Sequence, residues 1–406
     1  MSAVVITGDT SGTVTLQAPA VAGTTTLTLP ATDGTIVTTA SGQSLASPAI
    51  TGTATLNGVN MSPYTMRNRV INGDMRIDQR NAGASVTPTT GQYTVDRMKF
   101  YLSQASKLTA QQNAGSVTPP AGFTNYLGIT SSSAYTVASG DYFILSHLIE
   151  GYNMSDFAWG TANAKTVTLS FWVRSSLTGT FGGSIRNADS NRSYVFSYVI
   201  SAANTWEYKT VSITGDTSGT WYTNNGIGIE LGFGLGIGST YTTSTTSSWV
   251  AGNYVAPTGA TSVVGTNGAT WYVTGVQLEV GSAATSFEWR PFTTELQLCQ
   301  RYYFKVSQTG TGPYGFGYNW GSTGAQWGVY FPTTMRSNPT FTSSAANTFL
   351  NQWSGGNTTP SGISLQESTN SLASINFDAS GLGAGQGMKC IGNGSFASFI
   401  AFSAEL

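Results

Sequence analysis

Cleaving a polymer needs two carboxylates flanking the scissile bond, or a nucleophile held beside a base. The chain of 406 residues contains 18 acidic residues. Pairs such as Asp74 with Asp78, or Glu279 with Glu288, can be drawn, but no spacing singles one out. The Gly-x-Ser-x-Gly turn that presents a nucleophilic serine is absent. His147 is the single histidine, and it alternates with Phe143 and Leu145 in a strand-like pattern. That places it in a core rather than at a catalytic centre. Cys299 and Cys390 have no metal-binding spacing, and both a disulfide and two buried free thiols fit them. The residue types point away from an enzyme.

What the chain has in abundance suits another chemistry. Sugars are held by aromatic faces ringed with amide and hydroxyl groups. Trp249 and Tyr254 stand in a long Ser/Thr/Gly-rich stretch, and Trp221, Tyr222, Asn224 and Asn225 precede a glycine-rich strand. Tyr314, Tyr318, Trp320, Trp327 and Trp353 are spread over the C-terminal part. The glycan-binding candidates are Trp249, Tyr254, Tyr314, Tyr318, Trp320, Trp327 and Trp353. The competing reading of each is core packing or burial between subunits.

These side chains must be positioned by strands. Charged residues are 9% of the chain and the net charge is -1, against about 25% charged residues in an ordinary soluble protein. No electrostatic case exists for a nucleic-acid or acidic-membrane partner. Gly, Thr, Ser and Asn replace charge, the composition of an all-β protein with many turns. No stretch is long and apolar enough to span a bilayer, so no membrane insertion is expected. The opening MSAVVITGDTSG lacks the basic region and apolar run of a signal peptide. The expectation is a protein made in a host cytoplasm and released by another route, such as inside a virus particle.

Apolar residues alternate through Phe143–Ile149, Val167–Val173, Tyr194–Ile200 and Trp206–Ile213, each read as a strand. A strand is also read at Tyr93–Phe100. In Gly226–Gly238, Ile227, Ile229, Leu231, Phe233, Leu235 and Ile237 hold one face, while glycines and Glu230 hold the other. A bare glycine face leaves room for a backbone, an aromatic ring or a ligand. The interval Thr240–Thr270, with Tyr241, Trp249 and Tyr254 in it, reads as a long decorated loop. The stretch Trp271–Phe304 organises the rest. Its strand sets Tyr272, Val276, Leu278 and Val280 on one face and Trp271, Val273, Gln277 and Glu279 on the other. A helix follows, with Thr293 as cap and Glu295 in its first turn.

Residues 1–66 carry only Asp9 and Asp33 as charged side chains before Arg67 changes the composition. Short pieces at Thr13–Leu16, Thr26–Leu29 and Thr35–Thr38 are too short to bury a core alone. Strands interwoven with other copies about a three-fold axis would solve that; a disordered leader is the alternative. The octamer ITGDTSGT, at Ile6–Thr13 and again at Ile213–Thr220, reads as a reused turn sequence.

Arg69–Arg80 with Val95-Asp96-Arg97, and Gly275–Gly281 continuing to Leu298–Tyr303, resemble the start and end of a domain common in bacteriophage tail-fibre and other virion proteins. The leader, at Val14–Ala20 and Leu27–Pro30, resembles the N-terminal part of phage fibres. Asn-Gly-Asp at the start and Gln-Leu-Glu at the end are also similar to β-jelly-roll carbohydrate-binding modules. This likeness brackets residues 69–303. It implies a structural calcium near the ends of the roll, for which Asp74, Asp78 and Glu279 are the candidate ligands. The competing reading pairs these acids with Arg69, Arg76, Arg97 and Arg290.

The expected architecture is all-β. Residues 1–66 form a virion-attachment and oligomerisation region, 67–292 a jelly-roll sandwich, 293–305 a linking helix and 306–406 a C-terminal β-sandwich for receptor binding. The expected function is that of a homotrimeric phage tail fibre or spike. It would join a tail or baseplate protein through residues 1–66 and attach the virion to host surface polysaccharide. The alternatives are a purely structural virion component and a polysaccharide depolymerase spike.

Overall fold

The computed structural model describes residues 66–394 and 397–406, together with short strands at Ala3–Thr7, Thr13–Gln17, Thr55–Leu56 and Val59–Asn60. Strands β1 (Ala3–Thr7) and β2 (Thr13–Gln17) pair antiparallel, Ile6 opposite Val14. The first copy of ITGDTSGT thus runs from the end of one strand to the start of its partner. The strands expected at Thr26–Leu29 and Thr35–Thr38 lie outside the described residues, as does the three-fold core read into residues 1–66. Residues 1–56 and 57–406 are separate compact units.

In the larger unit the chain first builds β3 (Met98–Leu102), β4 (Leu108–Gln112), β5 (Leu127–Ser131), β6 (Tyr142–Glu150) and β7 (Val167–Ser175). It continues through β8 (Gly179–Arg186), β9 (Arg192–Ile200), β10 (Glu207–Ile213), β11 (Ile227–Ile237), β12 (Trp249–Ala251) and β13 (Thr270–Val280). They form two antiparallel sheets, ordered β12-β9-β8-β11-β6-β3 and β10-β7-β13-β5-β4. The sheets close as a jelly-roll sandwich over one core. Phe143, Leu145, Phe171, Phe196, Phe233 and Trp271 are among its buried side chains. The period-2 pattern builds this core directly, since alternate residues of each strand fall on the inner face.

Helix α1 (Phe292–Gln300) leads to a second body. Its strands are β14 (Tyr303–Thr309), β15 (Pro313–Asn319), β16 (Gly324–Tyr330), β17 (Thr340–Ser343), β18 (Phe349–Trp353), β19 (Gly356–Thr358), β20 (Gly362–Ser368), β21 (Leu372–Asp378), β22 (Gly387–Gly392) and β23 (Ala397–Ser403). A three-stranded sheet, β14-β23-β17, faces a seven-stranded one, β19-β18-β22-β15-β16-β21-β20. Their own core gathers Trp327, Phe349, Phe377, Cys390 and Phe402.

Four local expectations change. In β11, register shifts between Ile227 and Ile229 and between Gly234 and Gly236 take Ile227 and Ile237 off the core face that Ile229, Leu231, Phe233 and Leu235 hold. In β13 the alternation breaks at Gly275, whose φ of 62° accompanies a register shift between Thr274 and Gln277. Trp271 and Val273 before the bulge, and Val276 and Leu278 after it, therefore all face the core. Tyr272 points the other way, against Tyr126. Helix α1 begins a residue before Thr293, with Pro291 at its N-cap and no side-chain cap bond. The fixed φ of proline suits that entry, and Thr293 lies inside the helix. At Tyr93–Phe100 the strand starts only at Met98, because Arg97 turns the chain with φ 69°.

The helix packs back on the larger sandwich: Cys299 and Tyr302 join Ile71 and Ile77 in a small buried cluster. Both cysteines are free thiols, and burial pushes them well above their ordinary pKa. Among the described residues no helix is long and apolar enough to cross a membrane.

Candidate functional site

The segments carrying the family resemblance lie side by side. Arg69 N–H donates to Leu278 O and Val276 N–H to Gly73 O, both at 2.9 Å. The Asn68 side chain bridges the same strand, donating to Val276 O and accepting from Leu278 N–H. A Cβ on Gly73 would sit 2.1 Å from Val276 O, so only glycine allows this approach. The Glu295 carboxylate accepts Asn72 N–H and pairs with Arg290. These motifs fasten the start of the roll to its end and to α1. Their chemistry is closure rather than recognition.

The recognition-type chemistry lies on the outer face of the six-stranded sheet. There, a cleft of about 310 Å³ opens between strands β3, β6, β8 and β11 and the 240–270 segment. Tyr101 comes from β3, Tyr142 and Ile144 from β6, Arg186 from β8, and Ile227 and Glu230 from β11. Tyr241, Asn253 and Val255 form a wall, and Tyr142 meets Tyr241 edge to face with centroids 5.5 Å apart.

A charged floor holds the cleft in shape. Arg186 Nη2 lies 2.6 Å from Glu230 Oε1, which also accepts from Ser146 Oγ at 2.7 Å. Arg186 Nη1 donates to Asn253 Oδ1. Glu230 Oε2 and Asn253 Nδ2 make none of these bonds and are left as an acceptor and a donor. Burial, and then the charge of Glu230, push the Tyr101 hydroxyl up to about 12, so it stays a protonated donor. The cleft therefore presents phenol rings beside fixed amide, carboxylate and guanidinium groups.

The glycine face of β11 explains where the cleft begins. The 240–270 segment lies over this face at one end. The ideal Cβ position on Gly234 falls 3.3 Å from Ala256 Cβ. One on Gly182 would meet Pro257 Cδ at 2.2 Å. The bare face is thus occupied by this chain's own segment, which delivers Tyr241 and Asn253 to the cleft.

The aromatic candidates separate into packing and exposed groups. Trp249 is locked into a cluster with Trp159, Trp221 and Tyr194, its Nε1–H bonded to Thr214 O. Tyr254 sits beside Asn253 but turns its ring against Gly252 and does not line the cleft. Trp327 is a core residue, 1% exposed. A β-bulge between Pro313 and Gly315 lets Tyr314 pack inward on Phe349, and its hydroxyl bonds Ser398. Trp353 lies over Gly355 and Gly383. Tyr318 and Trp320 remain exposed. Tyr101, Tyr142, Arg186 and Asn253 were not singled out by the sequence. The signal for the floor was a lone Arg and a lone Glu in otherwise uncharged strands.

The calcium candidates are not brought together. Asp74 pairs with Arg76 at 3.0 Å. Asp78 accepts the backbone N–H of Asn81 and Gly83. Glu279 is held by Arg67, Gln277 and Thr285. Among the described residues no three acidic, histidine or cysteine side chains could hold a metal ion. His147 is buried, its Nε2 accepting Ile71 N–H at 3.3 Å.

No family model and no curated protein matches the chain. Among solved structures, the enzymatically active domain of tailspike protein 4 of bacteriophage CBA120 is 13% identical with a TM-score of 0.29; the match covers 53% of this chain and 22% of that one. A family 4 carbohydrate-binding module is 16% identical with a TM-score of 0.26, covering 52% of this chain and 99% of that one. The family 11 module from Clostridium thermocellum, in complex with a β-1,3-1,4-mixed-linked tetrasaccharide, is 14% identical with a TM-score of 0.25, covering 49% of this chain and 96% of that one. At these scores the likenesses add nothing to what the sheets already show: an all-β chain with a jelly-roll sandwich.

Proposed function

We propose that the chain is a glycan-binding virion protein of the tail-fibre type, without hydrolytic activity, whose central sandwich grips a short stretch of host surface polysaccharide. One observation carries this reading. The tyrosine-lined cleft has a floor of Arg186, Glu230 and Asn253 already fixed by mutual hydrogen bonds, so a sugar meets prearranged partners at little entropic cost. Glu230 is the single carboxylate lining the cleft, whereas glycoside hydrolysis uses two. Residues 1–66 would join the tail and hold three copies together, and three weak sites then gain by effective concentration.

The test is calorimetric titration of the full chain with oligosaccharides released from bacterial surface polysaccharides, beside the variants Tyr142→Ala and Glu230→Gln. Saturable binding weakened at least tenfold in both variants supports the cleft. Wild-type binding that neither variant alters would remove it. Release of reducing ends by the wild type would turn the reading to a depolymerase.

A further inference from the structure

The outer face of the seven-stranded sheet carries a second arrangement, unrelated to the cleft. Four aromatic rings stand on it: Phe316 is 72% exposed, Tyr318 50%, Trp320 51% and Tyr330 80%. They are not left over from core packing. The inner face of the same strands holds Trp327 and Val329 of β16 and Ile375 and Phe377 of β21, all buried. Gly315 and Gly317 of β15 point inward, close over Trp327, which turns Phe316 and Tyr318 outward about 7 Å apart along the strand.

Three of the rings stand beside glycine. Gly317 pairs with Trp327, so one step along the antiparallel register sets Phe316 opposite Gly328. A Cβ there would have only Leu372 Cδ1 within 4 Å, at 3.6 Å. Tyr318 pairs with Gly387, which has nothing within 4 Å of its Cβ position. Trp320 lies across Gly324, its Cζ2 at 2.1 Å from where a Cβ would stand. Glycine weakens a strand interior, and here it leaves one side of each ring without a cross-strand side chain, Gln326 and Lys389 standing on the other side of Tyr318 and Phe316.

Between and beside the rings runs a row of oriented amides and hydroxyls. Gln326 Nε2 donates to Ser374 Oγ at 2.5 Å, Trp320 Nε1 to Asn376 Oδ1 at 3.2 Å, and Asn376 Nδ2 to Asp378 Oδ1 at 3.2 Å. The nearest cation is Lys389, opposite Phe316. With the carboxylates of Asp378 and Glu367 on the same face, open ring faces alternating with amides and hydroxyls fit neither a phosphate backbone nor an acidic lipid surface. They fit the flat apolar faces and equatorial hydroxyls of sugar rings.

We propose that this face is a second carbohydrate-contacting surface, a stacking platform for a long polysaccharide chain, distinct in position and mode from the cleft. The proposal shares only the ligand class with the cleft reading. The platform takes extended chains across an open sheet, where the cleft takes a short segment between walls.

The experiment uses the full chain in affinity electrophoresis through gels containing O-antigen polysaccharide, capsular polysaccharide, cell-wall teichoic acid, mixed-linkage β-glucan or galactan. The variants are Tyr318→Ala with Tyr330→Ala, Trp320→Ala, and the cleft variant Glu230→Gln. All platform positions are exposed, and matching circular dichroism and melting temperature verify folding. We expect at least one polysaccharide to retard the wild type. Retardation should fall at least tenfold in the platform variants and persist in Glu230→Gln, whose loss is confined to short oligosaccharides. Tryptophan fluorescence should shift with the polysaccharide in the wild type, not in Trp320→Ala, and not with the oligosaccharide. The proposal is overturned if no polysaccharide retards the wild type, or if the platform variants migrate unchanged. It is also overturned if they change the mass of the assembly instead, which would assign the face to a second copy. Loss in Glu230→Gln alone would leave the cleft reading standing without the platform. Loss of retardation in the platform variants, with oligosaccharide binding unaltered in Glu230→Gln, would leave the platform standing without the cleft.

Discussion

Arg186 Nη2 and Glu230 Oε1 lie 2.6 Å apart across two neighbouring strands, with about nine-tenths or more of each side chain out of solvent. Removing one partner of such a pair leaves the other charge buried and alone, which costs about 3–5 kcal/mol. Arg186→Met should therefore lower the melting temperature strongly. Glu230→Gln keeps an accepting oxygen but leaves the buried Arg186 guanidinium without its anion, so it too should be destabilised, by about 2–3 kcal/mol. Thermal denaturation of the two variants checks this; a wild-type melting temperature in either would show that the pair is not buried in solution.

A Cβ at Gly182 would fall 2.2 Å from Pro257 Cδ and 2.7 Å from Phe196 O. Gly182→Ala should cost about 1–3 kcal/mol by overpacking. It should also push the 240–270 segment off the sheet, carrying Asn253 and Val255 with it. Oligosaccharide affinity should then fall although no cleft residue has changed. Titration calorimetry reads this directly, and unaltered affinity would show that the segment does not need the glycine.

Burial raises Asp96 to about 7 and Asp74 to about 6, from an ordinary 3.8. The folded chain thus holds these protons more tightly than the unfolded chain. Their contribution to stability is fully present below pH 3.8 and is lost as pH rises through about 6 and 7. His147 acts in the opposite sense. Burial, followed by the charge of Arg97, holds it well below 6.5, so stability is lost as the pH falls below that value. Asp96→Asn should remove part of the decline between pH 4 and 7, amounting to a few kcal/mol. Urea melts at several pH values measure it; a variant with the wild-type slope would contradict the assignment.

Arg97 is buried against Glu405 and sits 3.6 Å from the centre of the Tyr302 ring. Glu405→Gln strips Arg97 and Arg80 of their shared anion. Loss of a few kcal/mol is expected, with the single unfolding transition splitting into two as the sandwiches uncouple. Calorimetric scans would show the split.

Much of the fold was legible because period-2 patterning is local. Val167–Val173 and Tyr194–Ile200 could be assigned to strands from their own residues. What failed depends on single backbone events. The bulge at Gly275 moves Val276 and Leu278 to the face of Trp271, and the bulge after Pro313 turns Tyr314 inward. Neither is visible as a pattern of side chains. The aromatic candidates divide on the same ground: Trp327 and Tyr318 look alike in composition, and only their parity on paired strands sets one inside and the other out. The floor of the cleft joins Arg186 to Glu230, 44 residues apart, and Asn253 arrives from a segment whose course is set by glycines on another strand. Such contacts are products of topology, so the sequence could mark the glycine face and the decorated loop but not what they build together.

The attachment of the last residues has a mechanical side. Chain enters the C-terminal sandwich through α1, where Arg301 and Tyr302 grip Glu150. It returns at Glu405 and Leu406, held by Arg80, Arg97, Tyr93 and Lys99. A pull on the C-terminal sandwich is therefore carried by two moorings loaded in parallel, rather than by one peptide hinge. Tension would be shared between them and torque resisted, so the two sandwiches would move as a stiff lever where a single tether would swivel.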